Sequence, residues 1–405
     1  MKNKIIISLL SIICIESQAQ SQLQSFVDAV LDGFTPLTNL IEGEQSDSSA
    51  LQPVEQKKAE IVSFTLRDGS IYVGEARGRK PHGVGKVTYA NGDSYEGEFK
   101  KGKRHGKGVY HFSDGEWYDG EFFEDRQHGK GVYHFADGKK YDGEWDNDFQ
   151  QGYGRMDYPN GDFYVGYWLQ DQRSGTGSYF FADGSSYVGE WRADKRNGMG
   201  TFLWSDNSKY IGEWKNNNRH GHGVFTSPDS VMYDGGWANN LCHGTGRYAF
   251  SNGDVYEGGF QNDKWHGKGK YIFADGAVYD GEFNNGMRSG YGKMLFSNGA
   301  VYEGNWKSDL RCGSGKYIWA NGDVYEGNWE NDMMHGHGIL RLANGVKYRG
   351  GFVNGVEHGA GVAVDSDGTR YEGTFTNGQR NGKFTVKDAE GNVIRECVYN
   401  SGHLE

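Results

Sequence analysis

Residues 95–117 read YEGEFKKGKRHGKGVYHFSDGEW, and this stretch decides the fold. In the opening YEGEF, Tyr95, Gly97 and Phe99 alternate with Glu96 and Glu98. Successive side chains of a strand point to opposite faces, so this is a half-buried strand with rings on one side and acids on the other. Residues 100–106, KKGKRHG, are rich in turn formers and read as a hairpin loop. The run GVYHF, 108–112, is the return strand, and Ser113-Asp114-Gly115 makes a tight turn into the next tyrosine.

Outward from this stretch the pattern repeats. Tyrosine returns every 23 residues from Tyr72 to Tyr371, so fourteen units cover 72–393 without an insertion. A glycine follows each tyrosine by two positions. The residue two beyond that is Phe or Trp everywhere except Ala76. Tyr95, Gly97, Phe99, His105, Gly106 and Gly108 reappear in one later unit as Tyr256, Gly258, Phe260, His266, Gly267 and Gly269. The Gly106 position is glycine throughout. The Gly108 position changes only at Phe384, and Asn207 and Ser230 replace the turn glycine. The strand glycine between the two aromatics leaves room for neighbouring rings over bare backbone, and the Gly106 and Gly108 positions fit turn or bulge backbone with positive φ.

A single hairpin is not stable alone, but stacked hairpins share a continuous core. The expectation is an all-β, elongated solenoid or ribbon of stacked antiparallel β-hairpins. Two strands per unit at about 4.8 Å each give roughly 130 Å. Such an array needs capped ends. Ile61 to Ile71, turning at Asp68-Gly69, is the N-terminal capping strand, and the degenerate half-unit 394–405 is the C-terminal cap.

The order YEGEW/F, a short spacer, HGxG, an aromatic return strand and D/N-G resembles the MORN repeat (membrane occupation and recognition nexus). The resemblance covers about four-fifths of the chain. It implies an elongated β-ribbon, with roles in protein scaffolding and in association with lipid.

The first sixty residues differ. Lys2 and Lys4 precede an apolar run from Ile5 to Ile15, then Ser17, Gln18 and Ala19. The run falls short of the roughly 20 residues that span a bilayer. Residues 1–19 read as a secretory signal peptide cleaved near Ala19–Gln20, so the chain is expected to be exported, periplasmic or extracellular. Residues 20–60 hold a short amphipathic helix and a polar linker. Leu23, Phe26, Val27, Val30 and Leu31 fall on one helical face that Gly33 and Pro36 terminate.

Composition excludes several classes. Sixty-five glycines with five prolines and 15% aromatics fit neither collagen nor a disordered chain. A net charge of −11 argues against nucleic acid as a partner. The four cysteines form no CxxC pair, and Cys242 and Cys312, three units apart, are expected to remain free thiols. No phosphate-binding loop, nucleophile elbow or HExxH occurs.

The histidine row (among others His82, His105, His128 and His266) gives way to Gln151, Ser174 and Asn381, which a catalytic or metal role does not tolerate. A polar side chain bonding the loop backbone explains the whole row. The pairs His220/His222 and His335/His337 lack a third ligand at fixed spacing. The acids beside the strand glycine repeat, as solvated faces do and active sites do not.

The chain therefore reads as non-enzymatic, without cofactor or metal, and as a scaffold for protein partners. Phospholipid association through Lys103, Arg104 or the stripe Leu23, Phe26, Val27, Val30 and Leu31 is the alternative, which would make it a peripheral membrane protein. Envelope glycan on the Trp and Tyr rows stands third. Homo-oligomerisation is left open.

Overall fold

Apolar residues at every second position, with turn signals at fixed intervals, lead to one regular outcome from Ile61 onward. The structure is a computed structural model that describes residues 60–405; the leader, the expected helix at Leu23–Leu31 and most of the linker lie outside the described residues. Among the described residues all regular structure is strand, in one open sheet of 31 strands. Each strand pairs antiparallel with the next in sequence, from Ile61–Thr65 against Ile71–Arg77 to Val393–Asn400 against His403–Leu404.

In the unit quoted above, the outgoing strand is Ser94–Lys100 and the return strand Lys103–His111. The loop expected over 100–106 is in fact a two-residue turn, Lys101 (φ 56°) and Gly102 (φ 90°). Two left-handed residues give the turn whose twist matches that of paired strands. The rest of that stretch, including His105, already lies on the return strand. It looked like a loop because it contains a bulge: cross-strand partners step from Gly97 with Gly108 to Phe99 with Arg104. Gly106 occupies the bulge at φ 66°. The Glu98 carboxylate lies over it and accepts the Lys107 N–H at 3.1 Å. Glu190 with Met199 and Glu213 with His222 repeat this at 3.0 and 2.9 Å. In these three units the second acid of the strand thus holds the bulge as well as facing water.

At the other end of the unit, the Tyr89 N–H donates to the Asp93 carbonyl and Gly92 N–H to the Tyr89 carbonyl. Asn207 (φ 67°) and Ser230 (φ 68°) keep the same turn without glycine.

The core occupies one face, called the front. Each repeat tyrosine lies flat on a cross-strand glycine pair. A Cβ on Gly97 would sit 2.6 Å from the Tyr95 hydroxyl. Tyr95 is 0% exposed and donates its hydroxyl to the Glu98 carbonyl at 3.0 Å. Its ring meets Phe99 of its own unit and Phe122 of the next edge-on, both at 5.0 Å. Such contacts contribute about 0.5–1.5 kcal/mol each beyond area burial. Where the partner is tryptophan it adds a hydrogen bond across units, as from Trp145 Nε1 to the Gly131 carbonyl at 3.1 Å.

The last unit inverts the arrangement. Phe384 replaces the second glycine and its buried ring lies over Gly373. Tyr371 is only half-buried, with the Arg380 guanidinium 3.5 Å from its ring centroid.

Candidate functional site

On the front face the outgoing-strand rings from Tyr72 to Phe352 are sealed, so they are not available to stack on a sugar or any other ligand. What the front face still offers comes from the return strands. Tyr110, Tyr133 and Tyr179 stand there, followed two residues later by Phe112, Phe135 and Phe181. The rings form a zigzag: Tyr110–Phe112 at 4.6 Å, Phe112–Tyr133 at 5.7 Å, Tyr133–Phe135 at 4.5 Å. They pack on the core from one side. Most keep an open side, because among the described residues the sheet has no second layer.

Carboxylates fix this row. Asp93 accepts the Tyr110 hydroxyl at 2.6 Å and the Ser113 N–H at 2.8 Å, linking two units. Asp254 does the same for Tyr271 at 2.6 Å and the Ala274 N–H at 2.7 Å. The tyrosine hydroxyls hold both carboxyls below the usual carboxylate range. Burial first, and then the carboxylate beside it, pushes the Tyr110 hydroxyl up.

The tip side of the groove is built by arginines that the sequence offers only as scattered loop bases and not as a row. Arg173, Arg196, Arg219, Arg288 and Arg311 occupy the same position in their units. The Arg173 backbone N–H and Nε both donate to Asp194 Oδ1 at 3.0 Å, and its Nη2 to the Asp194 carbonyl at 3.2 Å. Its guanidinium lies 4.5 Å from the Trp191 ring centroid. Arg288 with Asp309 and Arg311 with Asp332 repeat the arrangement. Burial draws the Arg196 and Arg219 guanidinium pKa down, and the ring faces replace part of the lost hydration. The signal was present in the sequence as Arg followed by Asp or Asn at i+21.

Between these walls lie shallow hollows. One of about 710 Å³ is bounded by Tyr133, Phe135, Tyr158, Trp168, Arg173 and Asp194. Another, of about 530 Å³, is bounded by Arg219, Phe225, Tyr248, Phe250, Asp263 and Trp265. Ring faces with fixed carboxylates at the rim suit an extended segment carrying apolar and basic side chains.

The other expected site residues fall elsewhere. The Arg104 guanidinium lies 4.7 Å from the Tyr110 ring centroid and 5.2 Å from that of Phe122, so it is part of the groove wall rather than a free base. Lys103 is exposed at the hairpin tip, 3.2 Å from Glu124. His82 Nδ1 accepts the Lys101 N–H at 3.4 Å, and Gln151 and Asn381 bond the following tip in the same manner. At these positions the row serves the backbone of the next hairpin. His105 lies 5.3 Å from Phe123, ring to ring, and His266 is exposed.

His222 and His335 each approach a carboxylate, Asp234 at 3.1 Å and Glu330 at 3.3 Å. Among the described residues no group of three His, Cys, Asp or Glu side chains is placed to hold a metal. Cys242, Cys312 and Cys397 are free thiols. Burial, and then Asp263, pushes the Cys242 thiol up to about 12. Among the described residues no helix is long and apolar enough to cross a membrane.

Comparison with known proteins returned one family, described as MORN repeat. It matches fourteen consecutive segments from 72–94 to 371–383. No curated protein sequence matches. Solved structures with local likeness include the TCP10 domain of Danio rerio CPAP, at 13% identity over 60% of this chain and 98% of that chain, with a TM-score of 0.18. The TCP10c domain of Drosophila melanogaster Sas-4 is 13% identical over 43% of this chain and 96% of that one, with a TM-score of 0.23. At such scores neither adds to the argument.

Proposed function

We propose that this chain, which belongs to the MORN repeat family, is an exported, non-enzymatic scaffold whose front groove holds an extended segment of a partner protein. The observation that carries the reading is the row of half-buried return-strand rings on an open face, pinned by hydrogen-bonded carboxylates such as Asp93 and Asp254. Repeat surfaces of this kind bind along their length. Export rests on the leader that ends near Ala19. The test is quantitative cross-linking in the native host, comparing the wild-type chain with Tyr133→Ala/Tyr179→Ala. A defined protein recovered by the wild type and lost in the variant supports the groove. Equal recovery by both removes it.

One feature favours a second reading, association with an anionic membrane surface. The first two hairpin tips carry Arg77, Arg79, Lys80, Lys100, Lys101 and Lys103, all exposed. Bases near such a surface contribute about 1 kcal/mol each. Flotation with anionic but not neutral liposomes, lost in high salt, supports this reading, and absence of flotation removes it.

A further inference from the structure

The back of the sheet, opposite the groove, is not uniform along its length. On the nine strands from Met232–Ala238 to Val324–Glu330, the row nearest the repeat turns is apolar without a break. It begins Met232, Ala249, Val255, Ile272 and ends Ile318, Val324, each the cross-strand partner of the next in register. Beside it runs a row of charges whose sign alternates at every strand. That row begins Asp234, Arg247, Glu257, Lys270 and ends Lys316, Glu326. Towards the hairpin tips, Leu241, Met287, Leu310 and Met333 are each exposed, with Lys264 interrupting.

The same rows in the first units provide an internal control. There the turn-side row runs Ser94, His111, Trp117, His134, Lys140 and Asp157, polar at all but one position. The row beside it holds Val109, Asp119, Val132 and Asp142, with no alternation. These positions therefore accept polar residues, and strand propensity alone does not demand the apolar stripe.

From this pattern we infer that the back face of residues 232–330 is a self-association surface, which packs against the same face of a second copy. The ladder reads the same from either end. A second copy turned end for end and shifted by one strand lays acids opposite bases, with stripe on stripe. That is the isologous geometry of a twofold dimer. With acids and bases in near balance, the ladder offers little net charge to a uniformly acidic or basic partner, whereas its own reverse, shifted by one strand, complements it. Size agrees as well. After the shift of one strand, eight overlapping strands at about 4.8 Å and seven residues at about 3.3 Å give roughly 900 Å², close to the ~800 Å² that each side of a standard interface buries. Sheets facing each other about 10 Å apart interdigitate side chains of this kind. The inference concerns the opposite face from the groove and stands or falls separately from it.

The experiment is sedimentation velocity of the full exported chain over a concentration series, with folding checked by circular dichroism. The wild type is expected to show a reversible monomer–dimer equilibrium. Leu295→Asp, at an exposed position of the stripe, should weaken dimerisation about tenfold or more, because a twofold interface meets the change twice. Leu203→Asp, in the same row outside the ladder, should leave it unchanged. Lys270→Glu places three acids in succession and should weaken the dimer at low salt, with the loss shrinking as salt rises. A chain that stays monomeric at all concentrations overturns the inference, as does a dimer that Leu295→Asp leaves intact or that Leu203→Asp disrupts equally.

Discussion

Tyr210 and Phe225 are cross-strand partners on the same face of the sheet, yet they live in different surroundings. Tyr210 is 0% exposed. It lies on the glycine pair Gly212 and Gly223 and is closed in by Trp214 and Trp237 at 5.2 and 5.4 Å. Phe225 stands on the return strand, packed on the core from one side and half open on the other. The contrast recurs along the array: one row of rings holds the fold, and the other presents a surface. What separates them is the backbone beneath. Paired glycines let a ring lie flat under its neighbours, and without them it stands at the rim.

The sharpest way to break the comparison is to truncate both rings. Tyr210→Ala is expected to cost about 3–5 kcal/mol, as for other buried large-to-small changes. Phe225→Ala should cost less, about 1–2 kcal/mol, because part of its surface is already in water. Hydrogen exchange resolved along the chain suits the measurement, since a repeat array unfolds locally as well as globally. Equal costs would mean that the rows are not distinct.

Next in size is Gly212→Ala. Its Cβ would meet the Gly223 Cα at 2.5 Å and the Tyr210 hydroxyl at 2.7 Å. The expected loss is about 1–3 kcal/mol from overpacking. Protection should fall first in the hairpins on either side.

Smaller again is Arg219→Ala. It removes a guanidinium 4.1 Å from the Trp237 ring centroid and its bond to the Asn240 carbonyl at 2.9 Å. About 1–2 kcal/mol is expected from the two together. Chemical denaturation of the full chain, with Arg219→Lys beside it, separates charge from shape. Lysine should recover only part, because it lacks the planar fork.

The smallest effect is acid dependence. The Asp254 carboxyl is held below its ordinary range, chiefly by the Tyr271 hydroxyl. A depressed native pKa stabilises above the unfolded value of about 3.9, and the contribution fades as pH falls through the native one. Asp254→Asn should therefore lower the melting temperature slightly near neutrality and flatten its fall on acidification below about pH 4, so that the two proteins converge in acid. An unchanged slope would show that this link carries no weight.

Much of the sheet was legible because each strand carries its own instruction. Alternation in YEGEF specifies the strand, and the unbroken 23-residue period specifies the stacking. Gly97 could be recognised as room for rings before any ring was placed, whereas Gly108, which in sequence fits a turn or bulge with positive φ, proves to be an ordinary strand residue beneath the Tyr95 ring. Hairpin length was misread because Gly106 serves a bulge, and a bulge glycine followed by Lys107 looks in sequence like a longer loop. The arginine row escaped for a different reason. Gln127, Cys242 and Trp265 occupy its slot in other units, while its partner sits 21 residues away, so neither end stands out. Nor could sequence tell the sealed rings from the open ones, since both alternate with polar residues alike. Only register shows which row lies on paired glycines.

The most direct test of the division between fold and surface is site-specific photo-cross-linking in the native host. A benzophenone side chain replaces Phe225 on the front face in one chain and its neighbour Val224 on the back face in another. The account predicts adducts to one defined partner protein from position 225 and none to that partner from 224. Equal adducts from both positions, or adducts to lipid alone, would contradict it.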